Sequence, residues 1–365
     1  MKSRVKNIVI SVCFLALIFG YMIVAIITPD GDISYSERRK LTQFPELTWE
    51  SIKTGEFFQK FEKYAPDQSP LRESFRTVKA ISHFYLFNQK DNNDIFIIDG
   101  NAYKLLYPLY EKSITDAGKK LNEVYDTYLK GMKVYYTVLP DKNTFIAGKY
   151  DYPIIDFNRV VSLLGENVKN MEYINLLDCL GTKDFYNTDP HWSQDRLEKV
   201  VTRLSDKIGF EKPDFKSFTK KRLYPFYGAY YGQSALPLSP DELIYLTNDT
   251  IEKAVARNLA TGETFPVYNT DKFGGVDSYD VFLNGALPLI EITNENASTD
   301  KELIIFRDSS GSSLAPLLIG SYKKITLIDL RYVSTTTVGK YVTFTNQDVL
   351  FMYNLAVLNN SQMLK

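Results

Sequence analysis

One of the only two histidines in this 365-residue chain lies in the stretch NTDPHWSQDR, residues 187–196. His191 follows Asp189 by two residues and directly precedes Trp192. An imidazole transfers protons near neutral pH, and a neighbouring carboxylate can orient the ring for that task. The spacing is that of half a catalytic site, and the alternative is a polar turn that happens to contain a histidine.

A serine placed to act as a nucleophile comes later in the chain. Ser309 follows the apolar run LIIF and Asp308, and it precedes the small-residue turn SGSS and an apolar segment. This pattern predicts a strand that runs into a helix N-terminus, where backbone N–H groups can stabilise a developing oxyanion. Serine needs a base that a carboxylate orients, and Asp189 with His191 would supply that pair. The alternative is that Ser309 only caps the helix.

The remaining histidine and the two cysteines offer little competing chemistry. His83 lies in the apolar helical stretch RTVKAISHFYLF, which indicates a packing role and leaves His191 as the base. Cys13 lies in the apolar N-terminal run, and Cys179 is expected to be a small buried residue, with a thiol nucleophile as the alternative. Neither a Cys-x-x-Cys nor a Cys/His zinc pattern is present, so we expect no metal.

The elements that must position these residues alternate between strands and helices. Such alternation predicts a three-layer α/β domain with a mostly parallel sheet. Active sites in these sheets lie at the carboxyl ends of the strands, where the loops PDKNT, DPHW and RDSSGSS fall. Helices are predicted over 111–130, 157–168 and 192–208, and strands over 94–100, 133–141, 173–178, 301–306, 323–331 and 347–354.

The N-terminus predicts attachment to a membrane. Three basic residues among the first six precede an uncharged run over 8–28, which is about the length that crosses a bilayer as a helix. Basic residues stay in the cytoplasm, so the body would lie outside the cell. We interpret the run as an uncleaved signal anchor, with a cleaved signal peptide as the alternative. The predicted division is a cytoplasmic tip and anchor over 1–29, a juxtamembrane region over 30–75, and an α/β domain over 76–365 with a β-rich insertion at about 215–300.

Composition excludes one class of partner and permits another. The net charge is −1, so no basic field predicts nucleic-acid binding. The chain has 26 Tyr and 23 Phe, which can line a carbohydrate-binding groove or simply fill the core.

The motifs TDPHWS and RDSSGSS, and the early segment YSERRKLTQFPEL…EFFQKFEKYAPDQSPLRESF, resemble the DHHW family of Gram-positive bacteria. That family is related to the SGNH-like domains of alginate O-acetyltransferases. The resemblance extends over nearly the whole chain after the apolar run. It implies an SGNH-hydrolase-like α/β/α fold, with Ser309 as nucleophile, His191 as base and Asp189 as the group that orients it. Pro190 stands where the family motif has its first histidine, so any separate role of that histidine is missing here.

The resemblance also implies an activity in the cell envelope. The protein would be an extracytoplasmic O-acetyltransferase that forms a serine acyl-enzyme and acetylates hydroxyl groups of a cell-surface or exopolysaccharide. It would need no diffusible cofactor, and a membrane-bound O-acyltransferase would export the acyl group to it. Two alternatives stay open: a carbohydrate acetylesterase with the same triad, and a catalytically inactive polysaccharide-binding scaffold.

Further candidates come from the same loops. The oxyanion donors would be the backbone N–H of Ser309 and that of Gly228 in YPFYGAYYG, since glycine permits a close backbone approach. The alternative for Gly228 is an ordinary turn. The candidates for substrate contact are Lys142, Asn143, Arg331 and Trp192. The alternative for Lys142 and Asn143 is that they are solvated loop side chains, and the alternative for Arg331 is that it pairs with a carboxylate.

Overall fold

The computed structural model describes residues 2–365, and the chain divides into two compact units. The first unit is the chain up to Asn93 together with Tyr231–Pro237, and the second is Asp94–Tyr230 with Leu238–Lys365. The first unit therefore contains the predicted anchor and juxtamembrane region, and also residues 76–93.

The N-terminal helix α1, Lys2–Ile27, is the feature of the first unit with a membrane signature. The most apolar 18-residue window of its segment Ser3–Ile27 has a mean hydropathy of 2.8, and no residue of that window is buried. Among the described residues it is the one helix long and apolar enough to cross a bilayer, either as an anchor or as a signal sequence.

The rest of the first unit consists of short elements, and hydrogen bonds to Asp67 join one of its helices to the segment that contains Arg39 and Thr42. The Asp67 carboxylate at the end of α3 accepts hydrogen bonds from the Arg39 guanidinium, at 2.8 and 2.5 Å, and from the Thr42 N–H at 2.9 Å. The elements are β1 (Ile33–Ser34), β2 (Arg39–Lys40), α2 (Trp49–Lys53), α3 (Glu56–Asp67) and α4 (Arg72–Ile81), which continues as a π-helical turn over Ser82–Leu86.

The second unit is built on an eight-stranded mixed sheet. Its order is β10-β9-β11-β13-β12-β14-β5-β6, in which the five strands from β13 to β6 pair in parallel and the other three are antiparallel. Two hairpins, β3-β4 and β7-β8, lie outside it. The strands are β3 (Ile95–Ile98), β4 (Asn101–Lys104), β5 (Val134–Leu139), β6 (Glu172–Tyr173), β7 (Thr219–Phe226), β8 (Asp241–Thr247), β9 (Val255–Asn258), β10 (Thr264–Pro266), β11 (Leu289–Thr293), β12 (Glu302–Arg307), β13 (Lys324–Ile328) and β14 (Asp348–Asn354).

Two hydrophobic cores, one on each face of the sheet, make this a three-layer α/β/α sandwich. In β14, Val349, Phe351 and Tyr353 belong to one core, while Leu350 and Met352 belong to the other. This alternation follows from the two-residue period of a strand. The first core also takes in α5, α6 and α12, and the second α7, α9 and α10. The helices of this unit are α5 (Glu111–Val124), α6 (Phe157–Asn167), α7 (Glu198–Ile208), α8 (Ala229–Ser234, which runs into the first unit), α9 (Asp249–Lys253), α10 (Ser310–Leu314), α11 (Thr335–Val338) and α12 (Leu355–Leu358).

The predicted α/β fold is confirmed, with two differences in its strands. The strand predicted over 173–178 is limited to Glu172–Tyr173, because the chain turns into a 3-10 helix at Leu177–Cys179. The strand predicted over 94–100 exists, but it pairs only with β4. The segment 215–300 contains the β7-β8 hairpin, and its strands β9, β10 and β11 widen the main sheet.

Candidate active site

Three polar residues meet where the sequence analysis placed a catalytic centre. The Ser309 Oγ lies 2.7 Å from the His191 Nε2, and the His191 Nδ1 lies 2.6 Å from the Asp189 Oδ1. Ser309 lies two residues after the end of β12, whereas the other two residues lie in the loop before α7. The contacts have the order of a serine nucleophile, a base and an orienting carboxylate.

A neighbouring aspartate does the capping that Ser309 would otherwise do. The Asp308 Oδ1 accepts the Ser310 N–H at 2.9 Å, and its Oδ2 accepts the Asn354 N–H at 2.6 Å. The Ser309 side chain makes no capping hydrogen bond to α10. Its hydroxyl is therefore available to His191, and its own N–H has no acceptor among the described residues.

Asp189 is held rigidly although it is fully buried. Besides the imidazole, its Oδ1 accepts the His191 N–H at 3.0 Å, and its Oδ2 accepts the Ala229 N–H at 2.8 Å. A buried carboxylate is tolerated only when such donors replace its hydration. The donors also fix the carboxylate plane, and with it the tautomer of the ring that has its N–H on Nδ1.

The loop that contains Asp189 is clamped by a buried lysine. The Lys142 Nζ donates to the carbonyl oxygens of Tyr186, Asn187 and Asp189, at 2.9, 3.0 and 3.1 Å. The same ammonium lies 5.2 Å from the centroid of the Tyr230 ring, a cation–π distance. Burial lowers the pKa of Lys142 to about 8. Lys142 is a candidate for substrate contact from the sequence, but its ammonium group donates its hydrogen bonds to the backbone of the loop.

Gly228 supports the same loop from the other side. Its N–H donates to the Thr188 Oγ1 at 2.9 Å, and a Cβ at this position would collide with the Thr188 carbonyl and the Asp189 side chain. Asp241 accepts the Thr188 N–H at 2.8 Å and its hydroxyl at 2.6 Å. Glycine is required here for a close backbone approach, and its N–H is already engaged within the loop.

An aromatic residue that the sequence did not single out packs against the His191 ring. Tyr279 stacks on His191 with the ring centroids 3.8 Å apart and the planes 10° from parallel. The Tyr279 hydroxyl donates to the Ser313 Oγ at 2.8 Å, and the Trp192 indole donates to the same oxygen at 2.9 Å. Tyr279 and Trp192 thus connect the histidine loop to α10, the helix that begins directly after Ser309. Tyr279 lies in a Tyr-rich stretch with no motif, so no local signal distinguished it.

Asn143 and Arg331 occupy different positions. Asn143 is buried away from the cleft, and its side-chain amide donates to the Lys104 carbonyl. Arg331 lines the cleft and forms a bidentate pair with Asp329, at 2.9 and 2.7 Å. Burial opposes the charged form, but the Asp329 carboxylate prevails and raises the pKa of Arg331 above its usual value.

The triad opens into a cleft of about 330 Å³. Ser309, His191, Trp192 and Arg331 lie in its wall, whereas Gly228, Lys142 and Asn143 do not. Its position at the carboxyl ends of β5, β12 and β14 is the expected one for a parallel α/β sheet. Cys179 is not part of the wall, and burial raises the pKa of its thiol.

Comparison with known proteins was informative only at the level of structure. No protein-family model matches the sequence, and no curated protein matches it. A DHHW family protein from Eubacterium siraeum superposes with a TM-score of 0.61 at 17% identity, over 75% of this chain and 97% of that one. Bacillus cereus PatB1, solved with a sulfonyl adduct, superposes with a TM-score of 0.57 at 15% identity, over 72% of this chain and 95% of that one.

A looser match, with a TM-score of 0.45 at 13% identity, is the O-acetyltransferase domain of Pseudomonas putida AlgJ, over 73% of this chain and 92% of that one. The two superpositions with TM-scores above 0.5 establish the fold. The chain has the SGNH-like architecture that the sequence resemblance implied, and it shares that fold with a DHHW family protein.

Proposed function

We propose that this chain, with the fold of a DHHW family protein, is a serine O-acetyltransferase of the SGNH type that works outside the cytoplasm. The observation that carries the proposal is the continuous Ser309–His191–Asp189 chain, at 2.7 and 2.6 Å. A hydroxyl hydrogen-bonded to an imidazole that a buried carboxylate orients is an activated nucleophile. The closed contact counts against the inactive-scaffold alternative.

The chemistry proceeds in two balanced steps. In the first, His191 Nε2 takes the Ser309 proton as Oγ attacks an acyl carbonyl, and the protonated ring then gives that proton to the departing group. In the second, the ring removes a proton from an acceptor hydroxyl, which attacks the acyl-enzyme and releases Ser309 with its proton restored. Asp189 stays ionised and stabilises the imidazolium. The Ser309 N–H would be a backbone donor to the developing oxyanion.

The acceptor and the acyl donor follow from the family resemblance. The acceptor would be a hydroxyl of a cell-surface or exopolysaccharide, and a membrane-bound O-acyltransferase would supply the acyl group. The helix α1 would be a retained anchor, with its basic N-terminus in the cytoplasm and the body outside. No metal is invoked, and the described residues contain no group of three or more His, Cys, Asp or Glu side chains that could hold one.

The first experiment tests the nucleophile. The protein from residue 30 to 365 is incubated with an activated acetyl ester or a sulfonyl fluoride, and its intact mass is measured. We expect one adduct on the wild type and none on Ser309→Ala. Ser310→Ala is the matched control, because its hydroxyl neighbours the nucleophile but makes no contact with His191, and it should keep the adduct. Absence of any adduct on the wild type would refute the proposal.

The second experiment separates the transferase from an esterase with the same triad. The protein is given the acetyl ester with and without candidate glycans. A transferase moves acetyl groups onto the glycan. Acetyl recovered only as free acetate, with every glycan offered, would assign the chain to the acetylesterases.

A further inference from the structure

A second, larger depression adjoins the catalytic cleft. It has a volume of about 840 Å³ and lies between the β4–α5 loop, one side of α5 and the C-terminal segment 356–364. Leu106, Ala356 and Asn360 belong to the walls of both depressions. The two therefore form one groove, referred to below as the extended groove, that leads away from Ser309.

The wall of the extended groove combines aromatic faces with neutral polar groups. Tyr107 and Tyr110 flank it with 58% and 57% of their surfaces exposed. Tyrosine offers a flat apolar face and a polar edge, the combination that suits a sugar ring. Neutral amides and hydroxyls face it from the C-terminal segment: Asn359, Asn360, Ser361 and Gln362.

The wall is preformed, because its two sides are hydrogen-bonded to each other. The Asn359 Oδ1 accepts the Tyr110 N–H at 2.7 Å, and its Nδ2 donates to the Pro108 carbonyl at 3.0 Å. The Ser113 and Ser361 hydroxyls lie 3.0 Å apart across the base. Because the groove is already ordered, ligand binding does not carry the entropic cost of ordering its side chains and loops.

The two lysines that line the larger depression are paired with carboxylates. Lys112 pairs with Asp116 at 2.5 Å, and Lys120 pairs with Glu123 at 2.7 Å. These carboxylates weaken the attraction of the two ammonium groups for a polyanion. The wall chemistry therefore fits an uncharged chain of hydroxyl-bearing rings.

We propose that the extended groove binds a neutral oligosaccharide segment of the acceptor, which places one hydroxyl at the acylated Ser309. The proposal rests on the transferase function above and adds the charge class and the position of the acceptor. The volume is within the range of sites that enclose ligands larger than one sugar ring. Affinity must then rise with the number of sugars and must depend on the Tyr107 and Tyr110 rings.

Binding is tested on the Ser309→Ala protein, in which no transfer occurs. Ladders of one to six sugars are titrated by NMR: neutral gluco-, galacto-, manno- and N-acetylglucosamine oligosaccharides, and an anionic uronic-acid ladder. We expect at least one neutral ladder to bind with an affinity that rises over three or more sugars. Adding Tyr110→Ala should weaken that binding at least fivefold, whereas Tyr110→Phe should retain it. Tyr341→Ala removes a comparably exposed tyrosine outside the groove and should change nothing.

The outcomes keep this proposal distinct from the proposed function. The adduct on Ser309 is measured separately on the wild type with the small activated ester, so that it does not depend on glycan binding. An adduct without binding of any neutral ladder, with tighter binding of the uronic acids, or with binding insensitive to Tyr110, would overturn the groove assignment and leave the nucleophile standing. Binding of a neutral ladder to the groove without any adduct on Ser309 would refute the proposed nucleophile and leave the groove assignment standing.

Discussion

At the scale of single residues, the site depends on groups that each satisfy several partners. Asp189 serves the imidazole and two backbone N–H groups, and Ser313 Oγ accepts from both Tyr279 and Trp192. The alternative that Ser309 only caps a helix is not what the geometry shows, since Asp308 provides the cap. Pro190, at the position of the family's first histidine, lies in the cleft wall and contributes no proton-transfer group.

Asp189→Asn tests the orienting role. An amide has a single acceptor oxygen for the three N–H groups that the Asp189 carboxylate accepts, and its N–H₂, where it faces His191 Nδ1, favours the ring tautomer with Nε2 protonated, which cannot accept the serine proton. We expect the rate of adduct formation to fall by about 10⁴-fold, as when the tautomer is reversed in other serine triads. The rate is measured by quenched intact-mass spectrometry, and the melting temperature serves as the folding control. A loss under tenfold in a folded protein would contradict an orienting role.

At the scale of elements, a single-turn loop presents Asp189 and His191, and long-range contacts hold it in place. Lys142 comes from the turn after β5, Asp241 from β8 and Gly228 from the start of α8. Irregular backbone without a sheet or helix ladder must find such partners when it is buried. The loop therefore owes its geometry to neighbours that are distant in the chain.

Lys142→Met tests that clamp. The substitution keeps the bulk but leaves three carbonyls without their donor, at a cost of about 1–3 kcal/mol for each one that stays buried. We expect a lower melting temperature and an adduct rate reduced by at least tenfold, since the Asp189 carbonyl is one of the three. Lys149→Met removes an exposed lysine from a nearby turn and should be neutral. An unchanged rate and stability would mean that the loop holds its shape without the ammonium.

The first unit should be acid-sensitive through Asp67. Hydrogen bonds from Arg39, together with those from Thr42, hold the pKa of this carboxyl well below its usual range. A depressed folded-state pKa adds stability above the unfolded value, about 3.9, and that stability is lost as the pH falls below it. Protection of the amides of residues 31–42, measured by hydrogen exchange and corrected for intrinsic rates, should fall between pH 5 and pH 2. In Asp67→Asn it should be low already at pH 5, and equal protection in both proteins would contradict the assignment.

The elements and the triad candidates could be read from the chain because their signals are local. β5, β12 and β14 are apolar runs bounded by turns, and the Asp-x-His spacing and the strand–Ser309–helix junction lie within a few residues each. The roles of Tyr279 and Lys142 could not be read, because stacking and carbonyl contacts join residues far apart in the chain. β6 was overestimated because Ile174 and Leu176 are as apolar as strand residues but are buried in irregular backbone.

At the scale of the whole molecule, the predicted anchor and the triad belong to different compact units. Helix α1 is in the first, and Ser309, His191 and Asp189 are all in the second. Each triad member receives its hydrogen bonds from within that second unit. The chemistry should therefore be separable from membrane attachment.

Removal of residues 1–29 tests this separation. The full-length protein should sediment with membranes and resist extraction by salt, whereas the shortened protein should be released. The adduct rates of the two proteins on Ser309, measured in detergent for the full-length form, should agree within twofold. A shortened protein that melts normally but reacts more than tenfold slower would show that the anchor contributes to the site.

The place of β14 in the sheet has a consequence for the stage of folding at which the site around Ser309 is assembled. This strand follows both β5 and β12 in the sequence but lies between them in the sheet, and its Asn354 N–H donates to the Asp308 carboxylate that precedes Ser309. Until residues 348–354 have emerged and inserted, the strand that carries Ser309 has no bridge to the half of the sheet that leads to His191. The proposed nucleophile is therefore expected to be assembled only after β14 has paired with both of its neighbours.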